Sequence, residues 1–157
     1  MSDEFCIIHL PARTLATVEL VVTQQEIPEQ IPQMYEHLCS WIETTRVSPV
    51  GRNIVLYDQF RHDGMRMRVG IAVAEPFVND GEIRCIELPA LSMAQVRHQG
   101  SYSQLPAAHA SLHSWCMDMS LNRGQLSIEE YGDSHENESQ LITDVYLEII
   151  EQVRSEL

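Results

Sequence analysis

Glu129 and Tyr131 stand two residues apart, and so do Asp144 and Tyr146. In an extended strand such pairs share one face, so each run would set a carboxylate beside a phenol ring. Two neighbouring strands built this way would wall a negative charge with aromatic rings. Such a wall suits a lipophilic cation. The acid supplies charge, and each ring adds dispersion and a cation–π attraction worth about 0.5–2 kcal/mol. The competing reading is a solvated face of an antiparallel sheet, where Glu and Tyr meet only water. Tyr35, Trp41, His109 and Trp115, from the two helices predicted below, complete the candidate ligand-binding set with Glu129, Tyr131, Asp144 and Tyr146.

Other chemistries find less support. His109 and His113 lie one helical turn apart, as in a two-histidine metal face, but the glutamate of H-E-x-x-H and a third ligand are missing. No metal site and no cofactor are expected. There is no G-x-S-x-G, P-loop or G-x-G-x-x-G. Glu129 with Tyr131 would serve as a general acid/base pair on a reactive small molecule if burial tuned the acid. Cys6, Cys39, Cys85 and Cys116 form no C-x-x-C pair and read as buried thiols.

The elements that must position these residues come in two similar sets. Pro11-Ala12 and the following Leu15-Ala16-Thr17-Val18 echo Pro89-Ala90 and Met93-Ala94-Gln95-Val96 at an offset of 78 residues. Ile31-Pro32, Leu38-Cys39-Ser40-Trp41 and Tyr57 echo Leu105-Pro106, Leu112-His113-Ser114-Trp115 and Tyr131 at an offset of 74. The chain thus reads as tandem units over 11–78 and 89–150. In the first, residues 14–22 form a strand. Residues 29–44 form a helix with Ile31, Met34, Tyr35, Leu38, Trp41 and Ile42 on one face and Pro32 in its first turn. Strands follow at 53–59 and 67–73, turned at Asp63-Gly64. The second unit repeats the order with a strand at 93–97 and a helix at 105–119 that buries Leu105, Ala108, Leu112, Trp115 and Met119. Its last strands are 126–131 and 141–149. A β-α-β-β unit cannot bury its sheet face alone. The expected fold is therefore α+β: tandem duplicated β-α-β-β units related by a pseudo-two-fold, one antiparallel sheet, and two long helices on one face. Trp41 and Trp115 should be equivalent and buried, and the seam between the helices is a natural cleft.

Composition narrows the partners. The 157 residues are 44% apolar, enough for one domain over 1–157, and carry a net charge of −13 with every one of the ten bases an arginine. So acidic a surface repels phosphate backbones and anionic headgroups, which predicts no direct nucleic-acid or membrane partner. The N-terminal MSDEFCIIHL lacks a basic region and a long apolar run, so a cytoplasmic location is expected.

The sequence His98-Gln99-Gly100-Ser101-Tyr102-x-x-Leu105, then Leu112-x-x-Trp115, Ile128-Glu129-Glu130-Tyr131 and Thr143-Asp144-Val145-Tyr146-Leu147-Glu148-Ile149 resembles the gyrase-inhibitor-like family. That family also provides effector-binding domains of AraC- and MerR-type transcription regulators. The resemblance runs from about residue 11 to 150 and implies the tandem fold with a ligand groove at the pseudo-two-fold. It further implies that a buried glutamate among aromatic residues neutralises lipophilic cations. The family's acid-x-Tyr motif falls on Glu129 and Tyr131, and its later acidic position on Asp144, where relatives often carry Glu. Regulators place a helix-turn-helix domain beside this module, so a free-standing binding module for lipophilic, cationic, drug-like compounds is expected, as monomer or homodimer. The alternatives are a hydrolase acting on electrophilic toxins through Glu129 and Tyr131, as a few relatives do, and a gyrase-inhibitor-like modulator of a basic protein partner.

Overall fold

The computed structural model describes residues 4–150, so the ends of the expected 1–157 domain lie outside it. Its strands are β1 (Phe5–Leu10), β2 (Arg13–Val22), β3 (Pro49–Arg61), β4 (Gly64–Val73), β5 (Arg84–Leu88), β6 (Leu91–Gln99), β7 (Arg123–Tyr131) and β8 (Ile142–Ile149). Helix α1 (Ile27–Thr44) joins β2 to β3, and α2 (Leu105–Asp118) joins β6 to β7. All pairings are antiparallel, in the order β1-β6-β8-β7-β3-β4-β2-β5. The α+β architecture is the one the duplication predicts, with β2-α1-β3-β4 and β6-α2-β7-β8 meeting at the central β3–β7 pair.

The register locates the pseudo-two-fold. One row of directly paired residues crosses the sheet as Val96, Val145, Glu129, Val55, Val69, Val18. The offset of 74 carries Val55 onto Glu129, so the axis passes between these two partners. Five valines and one acid make up the row. Both helices pack on this face. Met34 and Leu38 of α1 pack with Val18, Val55, Met67 and Val69, while Leu105, Ala108, Leu112 and Cys116 of α2 pack with Ala94, Val96, Val145 and Leu147.

The opposite face is equally dry at its centre. Leu15, Ile54, Leu56, Met93 and Ile128 are fully or almost fully buried there although neither described helix covers them. The connectivity supplies the cover. β1 and β2 lie near opposite ends of the strand order, yet only Pro11-Ala12 separates them, so the sheet must curl until its ends meet. The β1–β6 and β2–β5 ladders accordingly keep one register through Leu10↔Leu91 and Arg13↔Leu88. Pro11 and Pro89, which cannot donate to a ladder, stand at the bends. These short edge strands were not legible from periodicity.

Several details depart from expectation. α1 starts two residues early at Ile27, with Pro28 in its first turn, so Pro32 lies inside the helix and costs the hydrogen bond its N–H would have given. Thr23 and Glu26 form a capping box before it, with Thr23 N donating to Glu26 Oε1 at 2.8 Å. The apolar face of α2 ends on Cys116, leaving Met119 56% exposed beyond the helix. Cys6 and Cys39 are exposed and Cys85 half-buried; Cys116 alone behaves as the expected core thiol. Trp41 and Trp115 are equivalent in exposure, as the repeat requires, but both are only partly buried. Among the described residues no helix is long and apolar enough to cross a membrane.

Leu38 and Leu112 are each about as buried as a side chain can be, at 1% exposure, and are mates under the pseudo-two-fold. Truncating either to Ala should cost about 2–5 kcal/mol in urea denaturation. A large loss at one with none at the other would break the equivalence of the two halves.

Candidate functional site

The strand sequence Leu126-Ser127-Ile128-Glu129-Glu130-Tyr131 sorts by alternation: Leu126 and Ile128 pack on the back core, while Ser127, Glu129 and Tyr131 face the helices. Glu129 is 5% exposed. Its carboxylate is held by three donors. Tyr131 Oη donates to Oε1 at 2.7 Å and Tyr57 Oη to the same oxygen at 3.1 Å. His109 Nε2 lies 2.8 Å from Oε2 and, facing a carboxylate, carries the proton. The other ring nitrogen of His109 is 3.3 Å from Ser127 Oγ, which in turn donates to Tyr146 O.

Pseudo-symmetry explains these donors. Tyr57 and Tyr131 are mates at the offset of 74, so both phenols converge on the axis where Glu129 stands. Tyr35 and His109 are likewise mates, each on its own helix. His109 reaches the carboxylate, whereas the Tyr35 hydroxyl donates to Ile54 O at 2.9 Å and anchors α1 to β3. The ring of His109 meets Tyr57 edge-on with centroids 6.4 Å apart, and Tyr102, from the turn before α2, meets Tyr131 edge-on at 5.4 Å. Tyr102 is 47% exposed and forms the outer rim of the cluster. Four of the five tyrosines, Tyr35, Tyr57, Tyr102 and Tyr131, therefore gather around one carboxylate.

Burial pushes the Tyr57 and Tyr131 phenols well above their ordinary range, and the negative charge of Glu129 pushes them further. Tyr35 moves the same way, burial again first, partly offset by its bond to Ile54. The phenols thus remain neutral donors to the carboxylate.

Of the eight residues predicted from sequence, the structure brings Glu129, Tyr131 and His109 into contact and sets Tyr35 beside them. Asp144 and Tyr146 do not join. Glu129 pairs directly with Val145, so the acid and the tyrosine of β8 point to the opposite face. There Asp144 is 4% exposed and bound to Arg97, with Nε to Oδ1 at 2.9 Å, while Arg52 approaches at 4.0 Å. Tyr146 packs in the back core. The tryptophans pack instead against the two helix-side cores: Trp41 also meets Phe77 and donates to Asp80 Oδ2 at 2.9 Å, and Trp115 stacks on Phe5. His113 pairs with Arg123 rather than with His109. Tyr57, Ser127 and Tyr102 were missed. The repeat already matches Tyr57 to Tyr131 and was the signal that would have found it; Tyr102 stands in the His98–Leu105 motif that carries the resemblance, which marked the residue but not its place beside Tyr131. Among the described residues no three His, Cys, Asp or Glu side chains are placed to hold a metal ion.

Residues 3–150 match the family model of the GyrI-like small molecule binding domain. The chain belongs to that family. Among solved structures, the GyrI-like chain is similar to the crystal structure of the EcmrR C-terminal domain, with a TM-score of 0.82, 18% identity, and coverage of 97% of this chain and 100% of that one. The structure of SAV2435 bound to tetraphenylphosphonium matches with a TM-score of 0.72 and 14% identity over 94% of both chains. A crystal structure of a hydrolase from Listeria innocua matches with a TM-score of 0.61 and 12% identity, over 94% of this chain and 92% of that one. At these identities the likenesses establish the fold of the GyrI-like chain alone. No curated protein sequence matches it.

The site predicts an alkaline signature. Tyr35, Tyr57, Tyr131 and also Tyr146 are held protonated, burial being the first cause at each. An unfolded tyrosine ionises near pH ~10. Above that pH the unfolded chain releases protons that the folded chain keeps, so stability falls as pH rises. Absorbance at 295 nm should show these four phenols ionising only together with unfolding. Their reversible ionisation near pH ~10 in a folded chain would contradict the buried cluster.

Proposed function

We propose that this GyrI-like domain binds lipophilic, cationic, drug-like compounds in the groove at the pseudo-two-fold, with Glu129 as the counter-charge. The observation that carries the reading is a carboxylate, 5% exposed, set on the axis among phenol rings. Taking a carboxylate out of water costs several kcal/mol, and hydrogen bonds from neutral phenols return part of that. A cation placed against Glu129 adds the Coulomb attraction those donors lack, and the rings of Tyr35, Tyr57, Tyr102 and Tyr131 add cation–π contact. SAV2435, similar in fold and bound to tetraphenylphosphonium, supports the same ligand class. His109 is the ligand-facing residue of α2 in this reading, and Tyr35 its counterpart on α1.

The net charge of −13 favours cations at long range and disfavours operators and anionic membranes. Four unpaired cysteines fit the reducing cytoplasm.

Calorimetry with methyltriphenylphosphonium and with triphenylphosphine oxide, close in size but neutral, tests the charge. The phosphonium should bind with a Kd on the order of 1 μM, about −8 kcal/mol, and the oxide more weakly. Glu129→Gln keeps the shape and should weaken phosphonium binding by about 1–3 kcal/mol, roughly 5- to 150-fold, with little effect on the oxide. Equal affinity for the two compounds, or an unaffected Glu129→Gln variant that melts like wild type, would refute charge recognition by Glu129.

A further inference from the structure

The polar side chains buried in the described structure are Thr17, Ser127, Glu129, Thr143 and Asp144. All but one have a hydrogen-bond partner. Thr17 donates to Arg84 O, Ser127 to Tyr146 O, and the two acids accept from the groups described above. Thr143 is 0% exposed and its Oγ1 has none among the described residues. A buried hydroxyl left unpaired costs roughly as much as a lost hydrogen bond, so a polar group brought beside Thr143 would be favoured there.

The position of Thr143 says what that group would be. It lies directly opposite Tyr131 on β7 and opposite His98 on β6, on the helix-facing side of the sheet. Glu129 pairs with Val145, which makes Thr143 its diagonal neighbour on the same face, a spacing of about 7–8 Å in an antiparallel pair and somewhat less between Cβ atoms. His98 is already committed to Ser101 O at 3.0 Å, and Tyr131 spends its hydroxyl on Glu129. In the other half the equivalent row reads Tyr57, Met67, Leu20, so an apolar Met67 stands where the second half has Thr143. The helix-facing side of the sheet therefore carries an apolar Met67 in one half and a polar Thr143 in the other, on either side of the on-axis carboxylate.

We infer that Thr143 is a hydrogen-bonding subsite beside Glu129, and that the preferred ligand is an asymmetric lipophilic cation carrying a hydroxyl, ether or amide oxygen on one of its arms. The inference rests on the reading of Glu129 as the cation's counter-charge. The charged centre sits against Glu129, an apolar portion lies toward Met67 and Tyr57, and the oxygen passes beside Tyr131 to Thr143. Tyr102, half-exposed against the Tyr131 ring, turns outward to admit it.

Calorimetry with tetraphenylphosphonium and (3-hydroxyphenyl)triphenylphosphonium tests this, since the pair differs by one hydroxyl. Wild type should prefer the hydroxylated compound by roughly 3- to 10-fold, the scale of one net hydrogen bond. Thr143→Val, which replaces the hydroxyl by a methyl of similar shape, should erase the preference, and Thr143→Ser should keep it. The free Thr143→Val protein should melt at or above the wild-type temperature, because no described residue bonds the hydroxyl. A lower melting temperature, no preference in wild type, or a preference that survives Thr143→Val would each overturn the subsite. If tetraphenylphosphonium binds and Glu129→Gln weakens it while no hydroxyl preference exists, the subsite alone fails. If neither phosphonium binds, the Glu129 reading fails and the subsite falls with it.

Discussion

A carboxylate held almost out of water at the centre of a sheet is the constraint on which the rest of this structure turns. Glu129 occupies the one acidic position in a row otherwise made of valines, directly opposite Val55. An ion there needs donors, and they come from three different elements: Tyr57 from β3, Tyr131 from β7 and His109 from α2. Each of these elements must sit within a few tenths of an ångström of its place for the bonds to form. The polar site thus fixes how the two halves meet as firmly as the apolar core does.

Duplication builds such a site with little sequence. A pseudo-two-fold brings mates together only at the axis, so two tyrosines at equivalent positions converge there without further design. The two halves then differ at the positions on which our proposals rest. Val55 has Glu129 as its mate, Tyr35 has His109, and Met67 has Thr143. Each substitution makes the second half the more polar, and all three lie on the helix-facing side of the sheet. The first half keeps the apolar version and, through the bond from Tyr35 to Ile54, a stiff anchor between helix and sheet.

The opposite face uses charge in another way. Asp144 is nearly as buried as Glu129 but is bound by arginine, and Asp58 is clasped by Arg66 and Arg68. Burial raises the Asp58 carboxyl, but the bond from Arg66 and the two positive charges outweigh it and hold it below its ordinary range. These acids are satisfied by permanent cations of the chain itself. Glu129 is served by phenols and an imidazole, groups whose rings stay available for stacking. That contrast is why we propose Glu129, and not Asp144 or Asp58, as the counter-charge for a ligand.

The sequence by itself determined the duplication, the two helices, the central strands and the pairing of acid with tyrosine at Glu129 and Tyr131, because these are local periodicities and repeated words. It also held the clue to Tyr57, as the mate of Tyr131. What only the tertiary structure decided was register and closure. Whether Asp144 faces Glu129 or its back depends on which residue of β8 lies opposite β7, and a shift of one residue reverses every side chain. Alternation within each strand cannot reveal that shift between strands. Nor can it reveal that β1 and β5 exist, since their burial comes from the curling of the whole sheet rather than from their own pattern. The same holds for the hydroxyl of Thr143: a threonine in a strand is ordinary, and only its neighbours in space leave it without a partner among the described residues.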